Sequence, residues 1–128
     1  MTHDISNDGV EAYTAFQEGV RLLGSADVHA AALALERARD LEPDKGSIRE
    51  TLARAYFRSG RYAAAVTEFD RAVQLDPVND YAHFGLGLSL LRVGDSDRAR
   101  AHLKLAIAMR PLEEYRAALA EIGDGDDA

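Results

Sequence analysis

Arg54 and Arg58 stand four residues apart, one helical turn, and Arg92 follows Arg58 by another 34 residues (92 − 58 = 34). Guanidinium groups gathered in this way hold carboxylates through charge-assisted, often bidentate hydrogen bonds. The same residues also permit a plainer arrangement. Glu50 lies four positions before Arg54, so the two could form an ordinary helical ion pair and leave the other arginines solvated. Other chemistry finds less support. Gly85-Leu86-Gly87 is a fragment of a dinucleotide fingerprint, but it falls inside a helical stretch and close helix packing accounts for it. His3, His29, His83 and His102 are scattered, without paired metal-ligand spacing, and each reads as a surface residue. Asp124, Asp126 and Asp127 lack the downstream glutamate of a calcium loop and read as a solvated tail. The acidic pair Glu113-Glu114 belongs to a helix surface and carries no sign of acid–base work. The expectation is therefore binding without catalysis, metal or cofactor.

The elements that must carry these residues are marked by a fixed period. Pro43, Pro77 and Pro111 are spaced by 34 (77 − 43 = 34; 111 − 77 = 34). Ala31, Ala65 and Ala99 keep the same step, as do Ala38, Ala72 and Ala106, and Leu35, Phe69 and Leu103. Leu41, Leu75 and Met109 form a fourth series. A period in this range means stacked repeats. Within each period two amphipathic helices are expected, broken at Gly24-Ser25-Ala26-Asp27, at Ser59-Gly60 or at Gly94, and stopped by the proline. Asp27 and Asp95 stand where a second helix wants its N-cap. Ser47 and Glu50 fit a capping box, with Asp44 as the alternative cap. After Pro111 the period fails. Leu112, Tyr115, Leu119 and Ile122 still share one stripe, which predicts a capping helix with a polar outer side over about 112–122.

Composition narrows the partners. Fifteen Lys and Arg against 22 Asp and Glu give a formal net charge of −7, which disfavours nucleic acid as a ligand. Cysteine is absent, so there is no disulfide and no thiolate chemistry. No apolar run is long enough to cross a bilayer and the first nine residues do not resemble a secretory signal, so no membrane partner and a cytoplasmic location are expected. Thirteen arginines against two lysines, with abundant alanine, suggest a bacterium with a GC-rich genome.

The second repeat carries Leu52, Ala53, Tyr56, Gly60, Tyr62, Ala65, Phe69, Ala72 and Pro77 in an order that closely resembles the tetratricopeptide repeat. The third follows with Leu86-Gly87, Leu90, Gly94, Ala99, Leu103, Ala106 and Pro111, and the first with Gly19, Leu22, Ala31, Leu35, Ala38 and Pro43. The chain departs from the pattern at its tryptophan position, occupied here by Ala15, Arg49 and His83, and at Glu18 and Ala26. The resemblance implies an all-α fold, an α-solenoid of three helix-turn-helix repeats (12–45, 46–79, 80–113) in a right-handed superhelix with a C-terminal capping helix. A flexible segment, 1–11, would precede it and an acidic tail, 123–128, would follow.

The resemblance further implies that the first helix of each repeat lines a concave groove. The groove residues would be Tyr13, Phe16 and Val20 from the first repeat, and Glu50, Arg54, Phe57 and Arg58 from the second. The third repeat would add Tyr81, Phe84, Leu88 and Arg92. Leu23, Gly24, Ser47 and Leu91 hold further groove positions, and Tyr115 of the cap could join them. Some members of the family grip the free C-terminal carboxylate of chaperones with lysine and asparagine. The corresponding residues here are Phe16, Val20, Thr51, Tyr81 and Gly85, and none can do so. The expected function is a protein–protein interaction module that cradles a partner peptide. The alternative is a homo-oligomer, such as a homodimer, that buries Tyr81, Phe84, Leu88 and Tyr115 against another copy. A further arrangement would place Met1 to Gly9 in the groove until a partner displaces it.

Overall fold

The structure, a computed structural model, describes residues 5–123, and all seven of its regular elements are α-helices. They are α1 (Ile5–Gly24), α2 (Val28–Leu41), α3 (Gly46–Arg58), α4 (Tyr62–Leu75), α5 (Asp80–Arg92), α6 (Ser96–Met109) and α7 (Glu113–Ile122). Leu41, Leu75 and Met109 are the last residues of the second helices, so the period seen in the sequence is the period of the helix ends. Each stop lies two residues before a proline, where the chain can no longer stay helical. Each helix packs on its successor, and the first helices also touch one another along the rows α1–α3 and α3–α5.

Small residues set the crossing distances. Ala31, Ala65 and Ala99 are fully buried, as are Ala38 and Ala106. A helix pair comes close only where the side chains between the axes are short. Leu35, Phe69 and Leu103 fill the spaces beside them. Gly85 and Gly87 belong to the same device. A Cβ at Gly87 would lie 2.8 Å from Leu103 Cγ and 3.3 Å from the Ala99 carbonyl oxygen. The glycine pair is thus a packing feature of α5 against α4 and α6.

The turns follow the sequence with one informative departure. Gly60 and Gly94 end the turns at φ +80° and +92°. The equivalent place in the first repeat holds Ala26 at φ 69°. Its Cβ is strained there by about 1–2 kcal/mol. Asp27 and Asp95 accept from the amides of Ala30 and Arg98, as N-caps should. The Ser47–Glu50 capping box does not form, and neither does an Asp44 cap. Helix α3 starts one residue after Lys45, which makes no side-chain cap bond, and Glu50 instead accepts from Asn79 Nδ2 at 2.7 Å.

The first helix is longer than expected. Residues 5–11 continue α1 instead of forming a flexible lead, so Gly9 sits on a helix beside the groove, not within it as a displaceable strand. Residues 1–4 and the acidic tail beyond Gly123 lie outside the described residues. At the other end α7 closes the stack. Tyr115 is 2% exposed, stacks on Phe84 with ring centroids 4.6 Å apart and donates to Asp80 Oδ2 at 2.6 Å. Tyr115 is therefore core, not groove. No helix among the described residues is long and apolar enough to cross a membrane.

Candidate functional site

The seams between first helices open into one trough. At its start, α1 and α3 frame a depression of about 210 Å³ lined by Tyr13, Phe16, Ser47 and Ile48, with Glu42 and Lys45 from the intervening turn. Phe16 also borders the next stretch, with Val20, Thr51, Arg54 and Arg58. Arg54 and Arg58 in turn border a cavity of about 180 Å³ between α3 and α5. Phe57, Phe69, Tyr81, Phe84, Gly85 and Leu88 complete that cavity. Shared lining residues make the three stretches continuous.

The expected groove residues divide by exposure. Tyr13 (64%), Val20 (42%) and Tyr81 (36%) are open to solvent, while Phe16, Phe57 and Leu88 are half-buried and pack against the core with one side. Phe84 is mostly interior at 8%, with Tyr115 of α7 stacked on its ring, although it still lines the cavity. Leu23 is buried at 4% and belongs to the core. Of the four residues expected in a self-interface, Phe84 and Tyr115 are thus covered within the protomer, while Tyr81 is exposed and Leu88 half-buried.

The charged groups also sort themselves. Glu50 is held by Asn79, and the expected Glu50–Arg54 ion pair does not form. Burial pushes the Tyr81 phenol above its ordinary pKa, with Arg54 pulling it down and Glu50 and Glu114 adding to the rise. Arg54 and Tyr81 line the same cavity. Arg58 donates to the Leu23 carbonyl at 3.1 Å, across to the end of α1. Arg92 lies outside the cavity lining. It covers the rings of Phe57 and Tyr62, 5.5 and 5.3 Å from their centroids, and donates to the Tyr62 hydroxyl at 3.2 Å. These contacts hold the Phe57 side of the wall in place.

The tetratricopeptide repeat family profile matches residues 16–80 and again 50–114, two windows offset by the same 34 residues (50 − 16 = 34). The chain belongs to the tetratricopeptide repeat family. It is 42% identical over 76 residues to the TPR repeat-containing thioredoxin TTL4 of Arabidopsis thaliana, covering 59% of this chain and 11% of that protein. It is 33% identical over 87 residues to cellulose synthase operon protein C of Komagataeibacter xylinus, covering 66% of this chain and 7% of that one. The chain thus spans only a small part of the curated relatives it matches. Among solved structures, the first tetratricopeptide domain of Spaghetti (RPAP3) bound to the HSP90 peptide SRMEEVD superposes with a TM-score of 0.85 at 19% identity, over 90% of this chain and 92% of that one.

Two of this tetratricopeptide domain's departures from the family pattern become intelligible in the structure. Arg49 and His83 both replace the pattern's tryptophan, and both reach back to a turn carbonyl. Arg49 Nε donates to the Pro43 carbonyl at 2.8 Å, and His83 Nε2 is 2.8 Å from the Pro77 carbonyl. Each then meets the second helix of its own repeat. Arg49 Nη1 donates to Glu68 Oε1 at 2.9 Å, while His83 Nδ1 lies 3.0 Å from His102 Nδ1. Glu68 and His102 are themselves one period apart (102 − 68 = 34). One brace is thus built twice with different chemistry. Arg39 of α2 adds a third partner to the first brace, donating to Glu68 Oε2 at 2.9 Å. Sequence reasoning missed both, and His83, expected at the surface, is 4% exposed. The signal was the period itself, which pairs the polar substitutes at 49 and 83 with those at 68 and 102.

The histidine brace predicts a pH dependence. A carbonyl can only accept, so His83 Nε2 donates to Pro77, and His83 Nδ1 and His102 Nδ1 share one hydrogen bond. Burial lowers the His102 pKa below 6.5; His83 and Arg98 lower it further, and Asp70 opposes them. Folding therefore disfavours the charged form of His102. Its contribution is fully present above the unfolded imidazole value and is lost as pH falls through that value toward the lower folded one. Urea midpoints measured from about pH 7 down to about pH 5 should fall, and His102→Gln should flatten part of that slope.

Proposed function

We propose that this tetratricopeptide domain is a non-catalytic protein-interaction module that holds a segment of a partner protein in the trough along α1, α3 and α5. The observation that carries this reading is the run of exposed side chains on an otherwise well-packed seam: Tyr13, Val20 and Tyr81 lie open beside the half-buried Phe16, Phe57 and Leu88. Large aromatic groups beside arginines are the usual anchors of protein interfaces. The trough gathers aromatic, aliphatic and guanidinium groups, which suit binding. The peptide bound to the RPAP3 domain supports the same use of the fold, while the apolar residues at Phe16, Val20 and Gly85 in this chain point to a different peptide.

Tyr13→Ser, Val20→Ser and Tyr81→Ser combined should abolish partner recovery from the source cell while leaving the chain folded, with a loss of no more than about 3 kcal/mol, most of it from Tyr81, which packs near Phe84. Undiminished recovery with the triple variant would remove the trough from the account.

A further inference from the structure

The arginines of this acidic chain are not equally satisfied. Among the described residues, eight of the thirteen lie within 4.0 Å of a carboxylate. The five that do not are Arg54, Arg58, Arg92, Arg110 and Arg116. Two of these, Arg54 and Arg58, line the trough, and Arg92 lies against Phe57, which lines it too. With 22 acidic residues available, carboxylates have been supplied to most arginines elsewhere and withheld here. Glu50, the nearest candidate along the helix, is turned to Asn79. Of the pair in the trough, Arg58 is tied to a backbone carbonyl, whereas Arg54 makes no hydrogen bond or ion pair among the described residues. Arg54 also borders both the 180 Å³ cavity and the shallower stretch that leads on toward α1.

A half-buried guanidinium without a carboxylate is an acceptor-seeking group, and its fork suits a carboxylate better than a lone carbonyl. The adjoining cavity is lined by Phe57, Phe69, Phe84 and Leu88 and measures about 180 Å³. A dry apolar cavity of about 150 Å³ accommodates a benzene ring, so this one has room for a single large apolar side chain. Carboxylate and apolar group would have to arrive together, because Arg54 forms the rim of the cavity.

We infer that this part of the trough recognises an acidic side chain lying next to a bulky apolar one on a partner protein, the carboxylate on Arg54 and the apolar side chain in the cavity beside it. The inference rests on the trough being the binding surface, as proposed above. Arg58 adds positive potential from the α1 side, and Arg92 keeps the Phe57 wall in position. The long-range effect of the −7 charge opposes an acidic partner, so affinity depends on short-range contact and rises little as salt falls.

The test is selection from a random peptide library displayed between flanking sequences, so that no peptide has a free carboxy terminus. The wild-type chain should enrich peptides with Asp or Glu beside Leu, Ile, Phe or Tyr. Arg54→Glu should lose that preference, and the best wild-type peptide, synthesised with both ends capped, should bind it at least about ten-fold more weakly. Replacing the acidic residue of that peptide with Lys should weaken wild-type binding by a similar factor and restore part of the binding to Arg54→Glu, where Lys meets the new carboxylate. Should Arg54→Glu melt early, Arg54→Gln reads the same loss. Enriched peptides without acidic residues, or equal binding to the variant, overturn the inference. If the Tyr13, Val20 and Tyr81 serine variant still abolishes binding of those peptides, the trough itself stands. A library that yields no trough-dependent peptide overturns both.

Discussion

Replacing Glu68 with alanine is expected to cost about 3–5 kcal/mol, the largest single-site loss outside the apolar core. The Glu68 side chain is 6% exposed and neutralises Arg39 and Arg49, whose side chains are 23% and 16% exposed. Removing the carboxylate leaves two guanidinium groups facing each other with little water to replace it. The comparison that isolates burial is Asp44→Ala. Arg71 and Asp44 also meet at 2.7 Å, but at 39% and 74% exposure, and that loss should stay within about 0.5 kcal/mol. Glu68→Gln keeps one acceptor and should fall between the two. Denaturant unfolding reads all three. For a chain of this size the alanine variant should melt about 10 °C or more below the parent. A Glu68→Ala loss no larger than that of Asp44→Ala would show that the brace is solvated.

Gly85→Ala is expected to destabilise by about 1–3 kcal/mol even though alanine is the better helix former. Two terms oppose each other. Propensity favours alanine by about 1 kcal/mol at a helix interior. Against it, a Cβ on Gly85 would fall inside the ring edge of Phe69, which is 2% exposed and enclosed by the main apolar cluster. The Phe69 ring would have to shift within its packed surroundings, and that overpacking outweighs the propensity gain. Gly46→Ala is the control, because its nearest neighbour would be Leu75 Cβ at 3.9 Å. There the sign should reverse, with a gain of no more than about 1 kcal/mol. A stabilised Gly85→Ala variant would mean that α4 and α5 are less closely packed than described.

The helix ends and the crossing points were legible in the sequence, because proline, alanine and glycine act locally and recur at one interval. Which residues face the trough was only partly legible. Along α3 the polar Glu50, Arg54 and Arg58 alternate with apolar residues and mark an outer face. Along α5 no such contrast exists from Phe84 to Leu91, and the helix is enclosed by α4, α6 and α7, so the pattern does not reveal that Phe84 turns toward Tyr115. Tyr115 itself reads as an amphipathic cap residue, and only the cap's docking shows that its ring is buried. The Arg39–Glu68–Arg49 brace was hidden for a different reason. Its members come from three helices, and nothing in the chain order says that positions 29 and 19 residues apart will meet at one carboxylate.

The braces and the trough are parts of one mechanical argument. Arg49 and His83 tie the start of α3 and of α5 to the preceding turn and to the second helix behind it. Helices fixed at that end present Arg54, Phe57, Tyr81 and Leu88 at a defined spacing, which lowers the ordering cost when a partner binds.

The most direct measurement of this account places a photo-crosslinking amino acid at Tyr81, on the trough, and in a separate protein at Leu33, an exposed position of α2 away from it. After illumination in the source cell, the account predicts a partner adduct from position 81 and none from position 33. An adduct from position 33 alone would contradict it.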